Sequence, residues 1–143
     1  MGAQEELRSP EPDDARVRLT LAFLGVGDVF MVPCTLARLG RSAKPERPWV
    51  VVALEGPARS PARVTLIPGT SDRGSGPRVV AEEGEAGLWR RTTFLCKIPP
   101  AVVVARRLVT EGRALGRLGA ERVAELDAAY AAAEERRRRR RQT

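Results

Sequence analysis

The chain has 143 residues, 43% of them hydrophobic and only 4% aromatic, which suits one domain with a single aliphatic core. It carries a net charge of +7, mostly as arginine, and this balance points to a polyanionic partner. It contains no histidine, which excludes a Ser-His-Asp triad, two-histidine ribonuclease chemistry and the usual Cys/His zinc site.

Residues 1–15 hold five acids and one arginine. They read as a flexible acidic segment, opposite in charge to the start of a signal peptide. No apolar run approaches the roughly 18 residues of a membrane span, so a cytoplasmic protein without membrane association is expected. From Arg16, the alternation of Val17, Leu19, Leu21 and Phe23 predicts a strand, broken by Gly25 and Gly27. Asp28 opens a second run, Val29-Phe30-Met31-Val32, which Pro33 closes. Residues 35–47 are polar and basic, with Gly40 and Pro45, and read as a long loop.

Pro48 to Leu54 is the strongest strand signal, β-branched and almost continuous. A connection rich in Gly and Pro (Gly56, Pro57, Pro61) leads to a strand from Arg63 to Ile67, after which Pro68-Gly69 reads as a turn that presents Thr70 and Ser71, followed by Asp72. Past Arg73 and Gly74 comes a short strand, Arg78 to Ala81. Glu82, Glu83 and Glu85 read as a solvated acidic loop. Thr92 to Ile98 is a further strand, stopped by Pro99-Pro100, and Val102 to Ala105 reads equally as strand or short helix. After Gly119, Val123, Leu126, Ala129 and Tyr130 form one helical stripe. That helix runs towards Arg136–Arg141, where like charges at i,i+4 are expected to fray it.

Five or six strands and a closing helix predict a mainly β protein, a small barrel over residues 16–133 followed by an Arg-rich tail at 134–143. Cys34 and Cys96 read as small buried hydrophobes. No pattern of metal ligands, phosphate loop or dinucleotide fingerprint is present, so no cofactor and no metal is expected. What remains for chemistry is a set of basic and hydroxyl residues at strand ends. If the strands at 48–54 and 63–67 pair as a hairpin, Pro48 falls opposite Ile67 to Gly69. Arg47 and Thr70 then come within reach of each other. A guanidinium beside two hydroxyls can hold a phosphodiester and stabilise the charge that grows on it.

Gly27-Asp28-Val29-Phe30, Arg47-Pro48-Trp49-Val50-Val51-Val52, Pro68-Gly69-Thr70-Ser71 and the segment Leu115 to Tyr130 follow one another in order. In these motifs the chain resembles the PemK/MazF-like toxins of bacterial type II toxin–antitoxin systems, over roughly residues 25–133. The resemblance implies an SH3-like barrel with a closing helix, a homodimer, and metal-independent cleavage of single-stranded mRNA. It also implies a cognate antitoxin protein as partner, with operator DNA reached through that complex. Arg47, Thr70 and Ser71 would take the family's catalytic positions, with Glu46 beside them as base. Arg38, Arg41, Lys44, Asp72, Arg73 and Lys97 would contact RNA. Cys96-Lys97 and Leu39-Gly40-Arg41-Ser42 depart from the family pattern. A barrel that binds nucleic acid or antitoxin without turnover therefore stands as the alternative.

Overall fold

The structure is a computed structural model that describes residues 12–40 and 44–142. The three longest strands lie where the sequence places them, with two changes at their ends. They are β1 (Asp28–Pro33), β2 (Glu46–Glu55) and β3 (Arg63–Thr70), which run antiparallel in the order β1-β2-β3. Two short strands, β4 (Arg78–Ala81) and β5 (Thr92–Leu95), extend the sheet from the end of β3. β2 begins at Glu46, inside the expected loop. β3 continues through Pro68-Gly69, read as a turn, to Thr70, because Pro68 pairs across to β2 and Gly69 to β5. β6 (Ala101–Val104) pairs with the first half of β3, and β7 (Arg113–Arg117) pairs with β1. Because β3 changes neighbour midway, from β6 to β5, the sheet curls into an antiparallel half-barrel.

The near-continuous apolar run in β2 has a simple cause: both faces of the central strands are covered. Phe30, Val32, Trp49, Val51 and Leu66 point to one buried cluster, and Val29, Val50, Val52 and Ile67 point to the other. Two helices, α1 (Pro12–Phe23) and α2 (Ala105–Glu111), close the first cluster with Val17, Leu21 and Leu108. The long helix α3 (Ala120–Gln142) closes the second with Leu126 and Ala133. The expected stripe is the one used, since Val123, Ala129 and Tyr130 pack against the same cluster.

Other local readings change too, and β5 stops at Leu95, short of the strand expected to Ile98. The predicted strand at 16–24 is a helix: Val17 and Leu21 are buried and Leu24 packs beside them, spacings of four and three residues. Leu19 and Phe23 are left 62% and 72% exposed. β1 already has β2 on one side and β7 on the other, so no edge is open there for an N-terminal strand. Residues 12–15 of the expected flexible segment belong to this helix, and residues 1–11 lie outside the described residues. The closing helix begins at Ala120, not at Leu115, because Arg113–Arg117 completes the sheet as β7. At Val102–Ala105 both readings hold in turn, with β6 ending at Val104 and α2 beginning at Ala105.

Ion pairs fasten the connections. Asp28 accepts from Gly25 N at 2.8 Å and from Arg117 Nε at 2.6 Å, tying the turn after α1 to β7. Glu85 accepts from Arg122 Nε and Nη2 at 3.0–3.1 Å and from the Glu82 amide at 3.0 Å. The acidic loop is thus anchored to α3 and is not merely solvated. The Arg122 guanidinium holds the Glu85 carboxyl below the usual carboxylate range. A lowered native pKa contributes stability above the unfolded value of about 4.3, and that stability is lost as pH falls through the native value. Glu85→Gln should therefore cost about 1 kcal/mol at neutral pH. The gap from wild type should close in acid. Thermal melting across pH 3 to 7 checks this, and a gap that does not change with pH would show that charge is not the cause.

Candidate active site

The open end of the β2–β3 hairpin brings the start of one strand beside the end of the other. Trp49 pairs with Pro68, so Arg47 and Pro48 lie alongside Gly69 and Thr70. The register formed falls within the expected span, Pro48 opposite Ile67 to Gly69, but includes an irregularity between Val51 and Ala53 that the sequence count does not contain. Arg47 is half-buried, and its Nη1 approaches Gly69 O at 3.5 Å. Burial lowers its proton affinity from the ordinary guanidinium value, since desolvation disfavours the charged form.

Thr70 is held by its own turn. Its Oγ1 accepts from the Asp72 amide at 3.2 Å, which fixes the side chain, and Ser71 beside it is exposed. The preceding Gly69 is required by a close approach. A Cβ there would lie 2.6 Å from Thr92 Cγ2 and 2.9 Å from Phe94 Cε1. Glu46 is exposed and faces Arg113 Nη2 at 3.9 Å.

These residues line one cleft of about 220 Å³. The lining comes from the β2 start and the residues before it (Lys44, Glu46, Arg47, Pro48), from the end of β3 (Gly69, Thr70, Ser71), from the segment leading into β5 (Leu88, Trp89, Arg90, Thr92) and from Met31. Clefts for whole drug-sized ligands run to roughly 300–1,000 Å³. This one suits a segment of a longer molecule, with three cations against one carboxylate on its walls.

All four expected catalytic residues, Glu46, Arg47, Thr70 and Ser71, thus meet in this cleft, together with Lys44. The other expected RNA contacts among the described residues do not. Arg38 is exposed, and Asp72 and Arg73 are exposed beyond the Thr70 turn; none of the three lines the cleft. Arg41 lies outside the described residues. Lys97 donates to Ser75 Oγ at 2.6 Å and lines a separate groove with Arg136, Arg137 and Arg140. Two further lining residues, Trp89 and Arg90, do not follow from the sequence pattern. Its one signal there is a tryptophan set between Gly87 and two arginines, outside any apolar periodicity.

Both cysteines are free. Burial pushes the Cys96 thiol up to about 11, so it stays protonated and unreactive at neutral pH. Among the described residues, no three His, Cys, Asp or Glu side chains converge where a metal ion could be held, and no helix is long and apolar enough to cross a membrane. No protein-family model matches the chain, and no curated protein matches it.

Proposed function

We propose that the chain is a metal-independent endoribonuclease acting on single-stranded RNA, a toxin of the PemK/MazF-like kind. On this reading the half-barrel is SH3-like, the working form is a cytoplasmic homodimer, and a cognate antitoxin protein neutralises it and carries it to operator DNA. One observation carries the proposal. Arg47 and the Thr70-Ser71 pair, far apart in sequence, share one positively charged cleft at the open end of the hairpin.

The chemistry follows from their types. The ribose 2′-OH attacks the adjacent phosphorus and gives up its proton to Glu46. The bond from phosphorus to the 5′ oxygen breaks, leaving a 2′,3′-cyclic phosphate and a 5′-hydroxyl. Arg47 balances the charge growing on the phosphate oxygens and gives a proton to the 5′ oxygen as it leaves; the proton taken by Glu46 then returns through water to Arg47. Burial, which lowers the proton affinity of Arg47, works in the direction of proton release. Thr70 and Ser71 position the phosphate, Thr70 from a rotamer already fixed by the Asp72 amide.

Incubation of the purified chain with mixed-sequence RNA in EDTA tests this reading. Cleavage is expected. No cleavage would favour the binding module without turnover, and cleavage only with added metal would overturn the mechanism.

The Arg-rich end has its own expected outcome. It stays helical through Gln142 because acids within the helix offset the repulsion. Glu134 pairs with Arg137, and Glu135 pairs with Arg138 and Arg139. Arg137 Nη1 also donates to Cys96 O at 3.2 Å, docking the helix on the sheet. Arg136 and Arg140 line a groove of about 320 Å³ with Lys97 and Ser75. Deleting residues 136–143 should weaken RNA binding at low salt. The salt slope should flatten by about 0.7 for every phosphate no longer neutralised, and the cleavage motif should stay the same. Binding measured across a salt series checks this, and an unchanged slope would place the electrostatic attraction on the barrel alone.

A further inference from the structure

Trp89 is a large aromatic side chain left 55% exposed on the wall of the cleft. It does not hang from a loose loop. Leu88 before it and Thr92 after it are 2% and 3% exposed, so the segment is pinned on both sides. Thr92 Oγ1 donates to Arg90 O at 3.1 Å, bracing the backbone between them. Just upstream, Gly87 has a φ of 73°. It runs so close to β7 that a Cβ would lie 2.1 Å from Leu115 O.

The segment therefore presents a flat ring to solvent from a fixed support, in the cleft that Arg47, Thr70 and Arg90 also line. A rigid exposed indole flanked by cations is the arrangement that binds unpaired nucleobases. The ring offers a π face to any base, and the cations hold the backbone. Bases in a duplex already stack on one another and cannot reach it.

We infer that Trp89 is a nucleobase-stacking platform. It would seat one unpaired base of the nucleotide next to the phosphate held by Arg47 and Thr70, with Arg90 contacting the neighbouring phosphate. This rests on the reading of the cleft as a site for single-stranded RNA and deepens it, because it assigns the segment before β5 to base capture. A stacking platform tolerates any base, so Trp89 contributes affinity and alignment without setting which sequence is cut.

The two tryptophans make a direct test possible. Trp49 is 1% exposed in the core and serves as an internal reference that does not touch ligand. The probe is a single-stranded oligonucleotide with 2′-O-methyl riboses, which lacks the attacking hydroxyl and cannot be cleaved. Its binding should quench the exposed tryptophan emission, and the quench should vanish in Trp89→Ala. That variant should bind the probe about 5- to 150-fold more weakly, and Trp89→Phe should recover most of the loss. In cleavage assays Trp89→Ala should raise KM more than it lowers kcat. The same probe carrying abasic sites should bind the wild type without quenching.

Binding with no change in emission, or an unchanged affinity in Trp89→Ala, would overturn the platform. Failure of the probe to bind the wild type at all would do the same. Quenching by a chain that cleaves no RNA would leave the platform standing and remove the nuclease reading. Cleavage without quenching would do the reverse.

Discussion

Replacing Arg47 with alanine should lower kcat/KM on single-stranded RNA by about 100- to 1,000-fold, the usual effect of removing one preorganised donor from a developing charge. The fold should survive. Arg47 is half-buried at the rim of the sheet, and the apolar clusters on the two faces of β2 do not include it. Thr70→Ala should fall in the same range, because it removes a donor to the phosphate and frees the turn held by the Asp72 amide. Arg47→Lys is a useful intermediate. It keeps the charge but loses the planar fork that matches phosphate oxygens, so only part of the rate should return. Steady-state kinetics with thermal melting on the same preparations decides the matter. If both alanine variants cleave as wild type does, the site lies elsewhere; if they unfold, the hairpin end has a structural role that its exposure does not suggest.

Gly69→Ala should have a comparably large effect through a different route. The added methyl would sit 2.6 Å from Thr92 Cγ2 and 2.9 Å from Phe94 Cε1, inside van der Waals contact. Phe94 is fully buried and Thr92 nearly so, so neither can swing away, and β3 must separate from β5 where they pair at Gly69–Phe94 and Thr70–Thr93. Forcing atoms into a packed site typically costs about 1–3 kcal/mol. The same displacement moves Thr70 out of line with Arg47, so activity should fall further than stability. Adding Thr92→Ser removes the nearer methyl and keeps the hydroxyl that donates to Arg90 O. Part of both losses should return in the double variant. Melting temperature and cleavage rate measured for the single and double variants give the answer, and full activity in Gly69→Ala would mean that the alignment of Thr70 does not matter.

The hairpin that builds the cleft is legible in the sequence because its information is local. A β-branched run, a Gly/Pro connection and a second apolar run mark the hairpin, and counting from the connection puts Pro48 opposite Ile67 to Gly69. The irregularity between Val51 and Ala53, which sets the pairing within that span, has no mark in the sequence. The closing helix is legible for the same reason, in the spacing of Val123, Leu126, Ala129 and Tyr130. What the sequence misleads on depends on neighbours. Val17, Leu19, Leu21 and Phe23 alternate as a strand does, yet Val17 and Leu21 are also one helical turn apart. Only the occupied edges of β1 decide between the two. β7 is hidden because Arg-Ala-Leu-Gly-Arg has no buried face, four of its five residues being exposed; its pairing with β1 alone makes it a strand. Trp89 escapes notice because an aromatic residue in a charged loop has no periodicity to mark it. Lys97 stands near β5 in sequence but is turned towards the Arg-rich helix, a direction that spacing along the chain does not encode.

The most direct measurement of the proposed chemistry is the mass of the upstream fragment released from a short single-stranded RNA in EDTA, alongside the same RNA with a 2′-deoxy ribose at the cut position. A 2′,3′-cyclic phosphate end is expected from the first, with a 5′-hydroxyl on its partner, and no cut at that position in the second. Fragments ending in a 3′-hydroxyl with a 5′-phosphate partner, or undiminished cleavage at the 2′-deoxy position, would contradict attack by the 2′-OH and with it the proposed roles of Glu46, Arg47 and Thr70.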